Sequence, residues 1–171
     1  MSATFNWQQT NGPTPGTATP LASSGNVFDF KNKDTTGVGD YATWPVPAGS
    51  NSFEVWLQGV FTGSFSAIYD LRFWQSVGFA NPTGLVITAN TAQQFYCTPN
   101  HISSSIAIAQ LGTSDPGTAN VSVGGLLNSS ITSSVSPANQ TDYIVLQLQT
   151  LNTAVAGDTS SVTFSLSYIE Q

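Results

Sequence analysis

The side chains able to do chemistry in this chain are few, and their spacing pairs them poorly. A nucleophilic triad needs a histidine base. The one histidine, His101, stands four residues after the one cysteine, Cys97, in CTPNH. No G-x-S-x-G elbow presents a serine to it. Cys97 and His101 are two metal donors with no second pair, short of the set a structural zinc site takes. No basic residue lies near Cys97 in sequence to activate its thiol.

The acids are Asp29, Asp34, Asp40, Glu54, Asp70, Asp115, Asp142, Asp158 and Glu170. Paired carboxylates do glycosidase chemistry, but most of these sit in turn contexts such as TSDPG, NQTD and AGDT, where an Asp side chain caps a turn. The run DFKNKD spaces two acids for a cation, yet Lys31 and Lys33 interrupt the donor set. Sequence reasoning therefore expects no catalytic residue, no metal and no cofactor, and a protein that is not an enzyme.

Composition points the same way. Charged residues are 7 % of the chain, where soluble proteins average roughly 25 %. The basic residues are Lys31, Lys33 and Arg72, and the net charge is −6. That charge offers no footprint for nucleic acid and none for an anionic membrane surface. Ser, Thr, Asn and Gln supply 66 residues, a neutral hydroxyl and amide surface suited to close packing against other subunits. Contacts of that kind tolerate changes of salt and pH. One cysteine excludes an intrachain disulfide. The start, MSATFNWQQT, lacks the basic and apolar regions of a signal peptide, and no apolar run approaches a membrane span. Synthesis in a reducing cytoplasm is expected.

Large aromatics are the remaining candidates. Phe5 and Trp7 precede a Pro/Gly-rich stretch and need somewhere to bury, on their own domain or on a neighbouring subunit. Trp56 and Trp74 are further subunit-contact candidates. Exposed aromatics among amides also bind sugars; under that alternative Trp44, Trp74 and Tyr96 are the contacts.

The elements that must position these side chains are short strands cut by turns. Residues 1–25 read as an extended arm, because NGPTPGTATPLASSG favours hydrogen-bond-poor backbone. Residues 26–171 read as one all-β domain. Strands are expected at Val27–Phe30, Asn51–Thr62, Phe65–Gln75, Leu85–Ala89, Gln93–Cys97, Ser105–Gln110, Ala119–Val123, Ser130–Val135, Tyr143–Leu151 and Ser161–Ile169. Their number and spacing argue for an antiparallel β-sandwich of jelly-roll kind.

Two hairpins are expected. The first turns at Gly63 and pairs Leu57 with Tyr69, Val55 with Leu71 and Phe53 with Phe73. It sets Glu54 opposite Arg72 and gathers Trp56 and Trp74 on one face. The second joins Tyr143–Leu151 to Ser161–Ile169 through NTAVAGDT.

Three segments carry a resemblance. FDFKNKDTT is followed by WPVPAGSNSFEVWLQGVFTGSFSAIYDLRFW, and the chain closes with DYIVLQLQTLNTAVAGDTSSVTFSLSYIEQ. Their order resembles that of small structural proteins of tailed-bacteriophage virions, over about residues 28–74 and 142–171. The shared motifs are packing and turn patterns. The resemblance implies a virion component, most simply a capsid decoration or cement protein that binds the major capsid protein or other virion proteins. It implies a homo-oligomer, with a trimer favoured, and it carries over no catalytic residue. Tail, neck and fibre-tip positions, and a lectin-like module, stand as alternatives.

Overall fold

The computed structural model describes residues 2–11, 18–21, 27–36, 38–39, 41–76, 84–92, 109–122, 130–155 and 162–171. Among these the secondary structure is all β and no helix occurs; no helix is long and apolar enough to cross a membrane. The strands are β1 (Ala3–Thr10), β2 (Thr19–Pro20), β3 (Val55–Gly63), β4 (Ile68–Gln75), β5 (Leu85–Ala92), β6 (Ala109–Gln110), β7 (Tyr143–Thr150) and β8 (Phe164–Glu170). They form a six-stranded sheet in the order β2-β1-β3-β7-β5-β6 and a two-stranded sheet of β4 and β8. Every pairing is antiparallel.

Both expected hairpins are corrected. β3 pairs with β1 and β7, whereas β4 pairs with β8 in the other sheet. β7 likewise pairs with β3 and β5, not with β8. Val55, Leu57, Phe61, Leu71 and Phe73 of the expected face do share one buried cluster, but Ile68 joins it where Tyr69 was expected, because the β4–β8 register shifts after Tyr69. They meet across the core instead of side by side in one sheet. Alternation marks the face a strand buries; it is silent about which edge pairs. Trp56 and Trp74 accordingly lie on different sheets, and Glu54 does not face Arg72.

Between β3 and β4 the chain crosses from one sheet to the other. Gly63 adopts φ +93°, and a Cβ there would stand 2.7 Å from the Ser2 carbonyl oxygen, so only glycine suits the crossing.

Other expected strands differ. Val27–Phe30 and the described part of Ala119–Val123 form no strand, and Ser130–Val135 contributes an isolated bridge, Ile131 to Ile68. Of Ser105–Gln110 only Ala109–Gln110 is described, as β6; Gln93–Cys97 lies outside the described residues.

Phe5 and Trp7 pack on the chain's own core. β1 runs antiparallel to β3 from Ala3↔Gly63 to Thr10↔Trp56. The Phe5 ring lies 4.9 Å from Trp7 and 5.0 Å from Phe61, and Trp7 lies 5.9 Å from Phe73. Phe73 stacks on Phe164 at 5.5 Å, and Phe61 meets Tyr168 edge-on at 4.9 Å. A continuous file of rings thus joins β1 and β3 to β4 and β8. Burying each ring stabilises by roughly 2–3 kcal/mol, and the edge-on contacts add to that.

The central strands bury both faces. Val55, Leu57, Ile144 and Leu146 point to the shared core, while Trp56, Val145, Gln58, Gln147 and Thr88 are buried on the opposite face. Amide and hydroxyl side chains bond on that second face. Gln58 Nε2 donates to the Thr141 carbonyl at 2.8 Å while its Oε1 accepts from Gln8 at 2.9 Å. Gln147 Nε2 donates to the Ser52 carbonyl at 3.1 Å, and Thr88 Oγ1 donates to the Gln147 carbonyl at 3.1 Å.

Candidate functional site

The side chains of Glu54, Asp29 and Asp34 are each taken up by a structural contact. Glu54 is buried and accepts from Trp56 Nε1 at 2.8 Å. Asp29 Oδ2 accepts from the Gly39 N–H at 2.5 Å, and Asp34 Oδ1 accepts from Asn11 Nδ2 at 2.8 Å. The acids of DFKNKD are thereby spent on separate contacts, and Lys31 between them is buried. Cys97 and His101 lie outside the described residues, as do Asp40 and Asp158. Among the described residues, no three of His, Cys, Asp and Glu gather at one point.

Arg72 binds Asp70 and reaches Asp115 at 3.3 Å. The cause is a bulge: the β4–β8 register shifts between Tyr69 and Arg72, and Asp70 takes φ +54°. Asp is among the residues that tolerate this left-handed region. The two charged side chains that meet, Asp70 and Arg72, stand two residues apart at this bulge. The guanidinium pKa is raised, first by its hydrogen bond to Asp70.

Asp142 is the functional-looking group that turn chemistry concealed. It is buried beside Thr141, its Oδ1 has no hydrogen-bond partner, and desolvation raises its pKa. Its backbone N–H donates to the Ser122 carbonyl at 2.8 Å, which holds it at the entry to β7. It lies away from open solvent, and among the described residues it belongs to no cluster of three His, Cys, Asp or Glu side chains. The Tyr143 hydroxyl beside it is pushed up by the same desolvation.

The aromatic candidates separate by burial. Trp56 is fully buried, edge-on to Tyr143 at 5.7 Å and packed with Val145 and Ala92. It offers a neighbour no surface in the folded chain. Trp74 is half-buried on β4, across from Ser165. Tyr96 lies outside the described residues. Trp44 is exposed: 40 % of its surface is open, and Lys33 Nζ stands 4.7 Å from its ring centroid.

A second exposed group was not singled out by sequence. Leu151 is 54 % exposed and Val155 87 %. Their loop is braced. Thr150 Oγ1 lies 2.7 Å from the carbonyl oxygens of both Pro47 and Ser50, and the Ser50 N–H donates back to it at 3.0 Å. The Leu151 N–H donates to the Gly84 carbonyl at 2.7 Å. Gly49 (φ +75°) and Gly84 (φ +86°) sit against Asn152 and Ala154, where a Cβ would approach within 2.0 Å and 2.8 Å. The 47–52 turn and the 150–155 loop therefore form one rigid end of the molecule, without a charged side chain in either segment. A valine inside NTAVAGDT was the available signal, hidden by the small residues around it. Chemically, this end can bury apolar surface against a partner but cannot transfer a proton.

Comparison of the chain with protein-family models, with curated proteins and with solved structures finds no match.

Proposed function

We propose that this chain is a non-enzymatic structural protein of a tailed-phage virion, acting as a capsid decoration or cement protein. The resemblance of residues 28–74 and 142–171 supports the class. The observation that carries the mode of action is the braced, uncharged loop end that displays Leu151 and Val155. Rigid presentation lowers the entropy cost of docking, and apolar burial gives about 25 cal/mol per Å² gross. A particle multiplies that term over many copies.

The architecture that goes with this reading is an antiparallel, jelly-roll-like sandwich of the two sheets. The N-terminal arm of this reading, residues 1–25, is anchored to the main sheet of its own chain through β1 and β2. The partners are the major capsid protein and copies of the same chain, with a trimer as the favoured assembly.

The test is occupancy. Leu151→Asp and Val155→Asp lie on exposed positions and should leave a folded chain of unchanged melting temperature. Both should fall off the particle and lower its heat resistance. Full occupancy by the double variant would refute this contact surface, and an unoccupied wild-type particle would refute the class.

A further inference from the structure

The geometry points to a carbohydrate-binding platform at Trp44 that takes a sugar ring of a neutral glycan, a binding activity beyond the particle role proposed above. Three of the four tryptophans serve the fold, wholly buried or half-buried. Trp44 does not. Its backbone carbonyl accepts from the Asn32 N–H at 2.9 Å, and Pro45 and Pro47 follow it, so its position is fixed on both sides. Lys33 Nζ, 4.7 Å from the centroid, covers one face of the indole. The remaining exposure belongs to the other face and the rim. Tyr41, 48 % exposed, stands three residues earlier in the same turn, with exposed Val38 just before it.

The surroundings select the ligand. A pyranose ring presents an apolar C–H face that fits a flat indole, and its hydroxyls need neutral hydrogen-bonding groups around it. Exposed Thr43 precedes Trp44, and partly exposed Asn32 is bonded to its backbone; their neutral side chains can meet those hydroxyls. An anionic ligand is opposed by Asp29 and Asp34 in the adjoining segment and by the net charge of −6. A protein partner is the competing occupant. With Lys33 over one face, the Trp44 ring offers a single flat indole face, which matches the size of one sugar ring better than that of an interdigitating protein contact.

The full-length chain should be titrated with cellohexaose, chitohexaose and maltohexaose, following indole fluorescence and calorimetry. At least one should bind saturably. Trp44→Ala should weaken binding about tenfold, in line with loss of one well-formed aromatic contact. Lys33→Ala should weaken it less, Tyr41→Ala should weaken it measurably, and Trp74→Ala should leave it unchanged. Absence of binding to all three sugars overturns the proposal, as does wild-type affinity in Trp44→Ala. If Trp44→Ala instead removes the protein from particles while no sugar binds, Trp44 is a protein contact and the glycan platform is wrong. Because Leu151 and Val155 lie outside this platform, their variants should keep glycan binding whatever happens to occupancy.

Discussion

The side-chain amide of Asn120 is bonded to the backbone of Phe73 in both directions, accepting from its N–H at 2.8 Å and donating to its carbonyl at 2.9 Å. One side chain thus does for β4 what a neighbouring strand would do. The segment around it adds backbone bonds from Asn120 and Val121 to the Leu71 carbonyl, and from Gln75 to the Gly112 carbonyl. This strap closes an edge that would otherwise invite strand addition. Asn120→Ala removes two hydrogen bonds and should cost about 1–2 kcal/mol in urea unfolding. Asn120→Asp keeps the acceptor and loses the donor, so it should fall between wild type and alanine. Aggregation on standing should rise in the same order.

Gly59 admits the Phe5 ring. A Cβ at this position would lie 2.6 Å from Phe5 Cε2 and 3.2 Å from Thr141 Cγ2. Phe5 cannot swing aside, because Trp7 and Phe61 hold it. Gly59→Ala should therefore destabilise by roughly 1–3 kcal/mol through overpacking, against the usual gain of alanine over glycine in a strand. Gly59→Ala combined with Phe5→Leu should recover part of the loss, and that recovery, read by thermal melting, distinguishes a ring clash from a general intolerance of β3.

Asp142 sets a local pH dependence of unusual sign. Burial raises its folded-state pKa above the ordinary aspartate range. The folded state then holds the proton more tightly than the unfolded state. Its contribution is most favourable below the unfolded pKa and declines as pH rises through the folded pKa. Most carboxylates that accept hydrogen bonds act in the opposite direction. Asp142→Asn should accordingly be more stable than wild type at pH 7, and the advantage should vanish near pH 3. The checking measurement is the difference between the two chains in urea midpoint across that range; a constant difference means the carboxyl does not titrate on unfolding.

Charge and amide contacts should rank in the reverse of their usual reputation. The Arg72–Asp115 contact is solvent-exposed at 3.3 Å, so Asp115→Asn should cost no more than about 1 kcal/mol. Gln58 is buried and bonded to Gln8 and Thr141. Gln58→Ala strands both partners and should cost about 2–3 kcal/mol. Wild-type stability should consequently change little between low and high salt, which unfolding in urea at the two ionic strengths would reveal.

The alternating apolar faces of β3, β4, β5, β7 and β8 were legible in sequence because a half-buried strand needs period two. Their partners were not. Val55 and Leu71 bury the same area whether they lie side by side in one sheet or face each other across a core. Only edge hydrogen bonds separate those cases, and backbone donors carry no sequence signature. β1 was missed because Phe5 and Trp7 alternate with Asn6 and Gln8 beside a Pro/Gly run that reads as irregular chain. Trp44 was legible as an exposed aromatic just ahead of Pro45 and Pro47. Leu151 and Val155 were not, since isolated apolar residues in a polar loop are ordinary; only the bracing by Thr150, Gly49 and Gly84 sets them apart.

Truncation separates a detachable arm from an integral strand. β1 pairs with β3 along eight residues and supplies Phe5 and Trp7 to the ring file. Loss of one large aromatic from a core costs about 3–5 kcal/mol, and whole domains are stable by only about 5–15 kcal/mol. A chain lacking residues 2–11 should therefore lose cooperative unfolding and near-ultraviolet aromatic dichroism. Adding a synthetic peptide of residues 2–11 should restore both, with Phe5→Ala in the peptide abolishing the rescue. A truncated chain that melts cooperatively within about 2 kcal/mol of wild type would instead make β1 a dispensable extension. Lost particle occupancy in that folded truncation would assign residues 2–11 to the neighbouring subunit.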